Sequence, residues 1–140
     1  MIAGSSAGAH LAATAALTAR NARFQPGFEH VDTAVDGVVA LGGYFGAIET
    51  RGAPSTPLDY GHGRAPPFLV IHGDLDTVVA VDHARAFVSE LRARSARPVS
   101  FAELPGAHHA FDLFHSIRFE AVVDAVDAFA DGPCSRRSTA

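Results

Sequence analysis

Near the start of the chain, Gly4-Ser5-Ser6-Ala7-Gly8 has the spacing G-x-S-x-G and stands immediately before an alanine-rich segment. That spacing suits a turn sharp enough to hold its central serine in a strained conformation with the hydroxyl pushed outward, which needs small residues on either side. Gly4 and Gly8 are expected to supply that room. Ser6 is then a candidate nucleophile. The N–H of Ala7 is a candidate oxyanion-hole donor, because the first amides of a helix have no acceptor within it. The same residues also fit an ordinary helix start, so the reading depends on a base and an orienting carboxylate that reach the serine through folding.

Both partners follow predicted strands. The run Pro67–His72 leads into Gly73-Asp74-Leu75-Asp76-Thr77-Val78-Val79, which places two acids on one loop. The run Val99–Leu104 leads into Pro105-Gly106-Ala107-His108-His109-Ala110-Phe111, a loop with two adjacent histidines. Taken singly, Asp74 or Asp76 reads equally as a turn or helix-capping residue, and a loop histidine as a solvated one. Serine, acid and histidine nevertheless occur in that order, each at an element end. In open parallel sheets ligand chemistry gathers beyond the carboxyl ends of the strands.

The elements that must position these residues are short. Ala7 to about Asn21 is rich in helix formers. Val35–Leu41 is an apolar, β-branched run stopped by Gly42 and Gly43, as expected of a strand buried on both faces. The segment from Gly46 to Pro66 is crowded with Gly, Pro, Ser and Thr and reads as a loop with one short helical turn. Asp82 to about Ser95 carries Ala84, Phe87, Val88 and Leu91 at helical spacing, and Pro98 prevents its continuation. A last helix, about His115 to Ala130, aligns Phe119, Val122, Val123, Val126 and Phe129 and is expected to close at Gly132-Pro133. Alternating helices and three strands predict an α/β fold with a mostly parallel sheet.

Composition narrows the function classes. The 140 residues are 48% hydrophobic and 19% charged, and 11 Lys+Arg against 15 Asp+Glu leave a net charge of −4, which argues against nucleic acid as a partner. One cysteine, Cys134, in the polar tail 132–140 cannot form an intrachain disulfide, which fits a reducing compartment. No apolar run approaches the roughly 20 residues of a membrane span, and no leader pattern opens the chain, so a soluble, cytoplasmic domain over residues 1–131 is expected.

The chain resembles the α/β-hydrolase esterases of the hormone-sensitive-lipase-like and related carboxylesterase type. GSSAGAHLAA looks like their nucleophile elbow, HGDLDTVV like their acid loop and ELPGAHHAFD like their histidine loop. The resemblance runs from Gly4 to about Phe129 and follows the family's order of Ser, Asp, His. It selects Asp76 over Asp74 and His109 over His108, and it implies Ser6 as nucleophile, His109 as base and Asp76 as orienting acid. It further implies a carboxylic ester as small-molecule substrate and no cofactor. Ser5 replaces the Asp or His often found before the nucleophile. The family's N-terminal strands and its His-Gly-Gly oxyanion loop lie upstream of the elbow, so the chain is expected to be a C-terminal portion beginning there. The open sheet edge this leaves is expected to favour self-association.

An amidase or arylformamidase with the same triad is the nearest rival reading, and a catalytically impaired fragment the next. A prolyl-oligopeptidase-type peptidase is disfavoured because nothing supplies its additional domain. His108, His109, Asp112 and His115 lack metal-site spacing, so no metal is expected. His10 and His72 read as packing or structural hydrogen-bonding residues. Phe45, Leu58, Tyr60 and Phe111 are the candidate substrate-pocket walls.

Overall fold

A computed structural model describes residues 1–48, 56–60 and 65–134. Four parallel strands form one sheet in chain order: β1 (Ile2–Ser5), β2 (Val38–Leu41), β3 (Phe68–Gly73) and β4 (Val99–Leu104). Helix α1 (Ala7–Leu17) joins β1 to β2, α2 (Val81–Arg94) joins β3 to β4, and α3 (Ile117–Phe129) follows β4. A parallel neighbour requires a crossover, and helices supply it at both β1–β2 and β3–β4.

The pleat sorts the strand residues between two apolar clusters. Val38, Ala40, Phe68 and Val70 face Ala9, Ala13, Phe87 and Leu91 of α1 and α2. Val39, Leu69 and Ile71 face Val122 and Phe129 of α3. Every residue of β3 is buried, as the uninterrupted apolar run predicts for a strand covered on both sides. The α/β class and the parallel sheet therefore stand as expected.

The structure differs from the sequence expectation in definite places. A fourth strand, β1, precedes the first helix. Its four small or apolar residues carry no periodic signal, and it forms because Ile2, Ala3, Gly4 and Ser5 find Val38, Val39, Ala40 and Leu41 in parallel register. Helix α1 stops at Leu17, short of Asn21, where the Thr18 hydroxyl and N–H both donate to the Thr14 carbonyl. Strand β2 begins at Val38, three residues later than expected. On α3, Val123 is 40% exposed and does not belong to the buried stripe, whereas Val122 and Phe129 do. That helix does not close at Gly132-Pro133 but continues as a π-helical turn over Ala130–Cys134. Cys134 is buried in the α3 cluster, so it is core and not polar tail. Between Gly46 and Pro66 a 3-10 turn at Pro57–Asp59 supplies the expected helical turn, and residues 49–55 and 61–64 of that loop lie outside the described residues.

Candidate active site

Parallel pairing puts the carboxyl ends of all four strands at one edge of the sheet, and the chemistry-bearing loops leave from there. Ser6 follows β1, Asp76 lies three residues beyond β3, and His109 five beyond β4. Residues separated by 103 and 33 positions meet as a result.

Ser6 occupies φ 53°, ψ −118°, a backbone conformation that a side chain rarely adopts. Strain of this kind costs about 1–3 kcal/mol and must be imposed by the surroundings. Here the Ser6 N–H donates to Leu41 O at 2.8 Å while the Ser6 carbonyl receives the Ala9 and His10 amides. The turn is also compact. A Cβ on Gly4 would lie 2.2 Å from Gly8 O, so only glycine lets the strand pass the helix start. Gly8, by contrast, would place a Cβ in open space, so the expectation that both glycines make room holds for Gly4 alone. Ala7 is the first residue of α1 and is exposed, with its N–H adjacent to Ser6.

The Ser6 hydroxyl lies 2.8 Å from His109 Nε2, and His109 Nδ1 lies 2.7 Å from Asp76 Oδ2. An ionised carboxylate can only accept, so Nδ1 carries the proton and Nε2 presents its lone pair to the Ser6 O–H. Asp76 is fully buried at its side chain. Burial works against its ionisation, but the N–H groups of Val79, His109 and Val78 outweigh it and hold the carboxyl below its ordinary value. The Val78 and Val79 amides reach Asp76 Oδ1 at 2.9 and 2.8 Å. A carboxylate that accepts the amides two and three residues on forms an Asx-type turn, for which Asp is a favoured residue.

The acid and histidine loops are laced to each other. Asp74 Oδ1 accepts the Gly106 N–H at 2.7 Å, and the Leu75 N–H donates to Ala107 O at 3.0 Å. Gly106 sits at φ +67°, and a Cβ on Gly73 would meet Ala107 O at 2.3 Å. Asp74 thus serves the loop that carries His109, while Asp76 contacts His109 itself. His108 is exposed, and His115 pairs with Glu120. His10 is buried and donates from Nδ1 to Tyr44 O at 2.9 Å, a structural contact.

The four candidate pocket residues separate. Phe111 belongs to the α3 cluster, and its ring closes on Gly42 beside the His109 ring. Phe45 is buried on the other side of the sheet, stacked on Phe87 at 4.0 Å. Tyr60 packs edge-on to Phe24, and Leu58 with Phe45 and His83 lines a cavity of about 250 Å³ beside α2 that includes none of Ser6, Asp76 or His109.

Comparison with known proteins bears on the family and the fold. Esterase LipQ of Mycobacterium tuberculosis is 40% identical over 156 aligned positions, covering 91% of this chain and 36% of that protein. The probable carboxylic ester hydrolase LipM of the same organism is 38% identical over 154, again covering 91% and 36%. The chain thus spans about a third of the length of these curated relatives. Among solved structures, Thermogutta terrifontis esterase 2 phosphoramylated by tabun superposes with a TM-score of 0.79 at 18% identity, covering 96% of this chain and 56% of that one. A truncated carbohydrate esterase from gut microbiota gives 0.70 at 18%, covering 93% and 59%. Both establish the α/β-hydrolase fold. The prolyl oligopeptidase family model matches residues 1–131. The family match and the esterase relatives agree with the expected resemblance to α/β-hydrolase esterases. The chain belongs to the prolyl oligopeptidase family and has the α/β-hydrolase fold, and the curated proteins similar to it include esterases.

Proposed function

We propose that the chain hydrolyses carboxylic esters through an acyl-enzyme formed on Ser6. Ser6 Oγ attacks the ester carbonyl as its proton passes to His109 Nε2, and the oxyanion forms beside the Ala7 N–H. Collapse expels the alcohol, which takes the proton from His109. Water, deprotonated by the same imidazole, then cleaves the acyl-serine and returns the hydroxyl to Ser6. Asp76 fixes the tautomer and stabilises the imidazolium. The observation that carries this reading is the unbroken chain from Ser6 Oγ through His109 to Asp76. The named esterases among the relatives favour an ester over an amide.

Thermogutta terrifontis esterase 2 is known phosphorylated by paraoxon, which makes an organophosphorus reagent the natural probe. Intact-mass analysis after incubation with a fluorophosphonate should show one adduct, absent in Ser6→Ala. Folded chain that acquires no adduct would refute the proposal and favour an impaired fragment.

A further inference from the structure

His72 is the fifth residue of β3, and its ring is completely buried. Its Nε2 lies 2.9 Å from Val79 O. A carbonyl oxygen can only accept, so Nε2 carries the proton and Nδ1 is left as a bare acceptor. That Nδ1 is buried and has no partner among the described residues. A ring used merely to fill space would be better replaced by an apolar one, because a desolvated, unpaired acceptor costs free energy that leucine or phenylalanine would not. The polar use of this imidazole is concentrated in its Nε2–H.

The group that receives this proton is the one that holds the acid. Val79, whose carbonyl accepts from His72, donates its own N–H to Asp76 Oδ1 at 2.8 Å. His72 Nε2 also stands 3.3 Å from Asp76 Oδ2, the oxygen that receives the His109 Nδ1–H. The imidazole therefore pins the 76–79 turn from beneath while its positive edge faces the carboxylate. On the catalytic reading of Ser6, Asp76 and His109 given above, we propose that His72 is a positioning residue: it fixes the turn that aims Asp76 at His109. It acts through Val79 and Asp76 and touches no reacting atom.

The test compares His72→Leu, which fills the space without a donor, and His72→Gln, whose amide N–H reaches toward Val79 O. Nitrogen-15 imidazole NMR reports the His109 tautomer whether or not the chain turns over. In the wild-type protein His109 should hold its proton on Nδ1, with a low-field resonance that Asp76→Asn abolishes. In folded His72→Leu that resonance should broaden or vanish. Its kcat toward a p-nitrophenyl ester should fall about tenfold per folded molecule at unchanged KM, the smaller end of the loss seen when an orienting partner is removed from a metal site. His72→Gln should restore both. A folded His72→Leu protein with wild-type resonance and wild-type kcat overturns the proposal. Should leucine prevent folding, glutamine carries the test alone, and a folded His72→Gln protein without the resonance overturns it. A wild-type chain that shows the resonance but never labels at Ser6 would defeat the hydrolase reading, and the positioning role would still be judged on the resonance.

Discussion

The two glycines of the G-x-S-x-G segment should respond in opposite ways to the same added methyl. At Gly4 a Cβ would lie 2.2 Å from the Gly8 carbonyl oxygen, 2.3 Å from its carbon and 2.8 Å from the Ala9 nitrogen. Ordinary contact begins near 3.4 Å. All three atoms are backbone, so the strand and the helix start must separate by about 1 Å. Overpacking of this kind typically costs about 1–3 kcal/mol. Because the displaced element carries Ser6, the proposed nucleophile, a shift of that size should also cost on the order of 100-fold in reactivity. At Gly8 the added Cβ meets nothing, and replacing a helical glycine by alanine gains about 0.5–1 kcal/mol. Near this chain length that is about 2–4 °C in Tm. Thermal melts and fluorophosphonate labelling rates of Gly4→Ala and Gly8→Ala check both arms. Equal Tm and equal labelling for the two variants, or a greater loss at Gly8, would refute the close-packing argument.

Three further outcomes are expected. Asp76 titrates below its ordinary value of 3.8 in the folded chain, so its stabilisation is complete above that unfolded value and is lost as pH falls through the lower folded one. Denaturant melts should therefore show the stability gap between wild type and Asp76→Asn closing on acidification, and a constant gap would contradict the assignment. Asp74→Ala removes the acceptor for the Gly106 N–H and should cost about 1 kcal/mol together with a slower labelling rate, while Asp74→Asn keeps the acceptor and should behave nearly as wild type. Unchanged stability and labelling in the alanine variant would mean that the lacing of the two loops is inconsequential. Among the described residues no strand pairs with the outer edge of β1, so multi-angle light scattering should detect concentration-dependent self-association, and a monomer at every concentration would count against it.

Local pattern made much of this fold legible. The runs that became β3 and β4 are rich in apolar residues and bounded by proline and glycine, so their span is set within a few residues. Helix α2 announces itself through Ala84, Phe87, Val88 and Leu91, all buried against the sheet. Strand β1 was beyond such reading, because four residues of Ile, Ala, Gly and Ser hold no period, and only the partner strand Val38–Leu41 makes them a strand. Val123 fails for a related reason. Helical spacing fixes a stripe only to within one position, and the sheet beneath α3 selects Val122.

What the sequence determined by itself was a set of candidates: a serine on a tight turn, and two acids and two histidines on later loops at strand ends. What only the tertiary structure decided was which groups stand behind them. Asp74 proves to hold Gly106, and His72 to lie beneath Asp76, because these contacts cross from one loop or strand end to another. The aromatic residues separate for the same reason. Phe45 and Phe111 look alike in sequence, yet the sheet sends one to the α1 and α2 side and the other beside His109. Periodicity reports that a residue is buried, and pairing across the sheet decides against what.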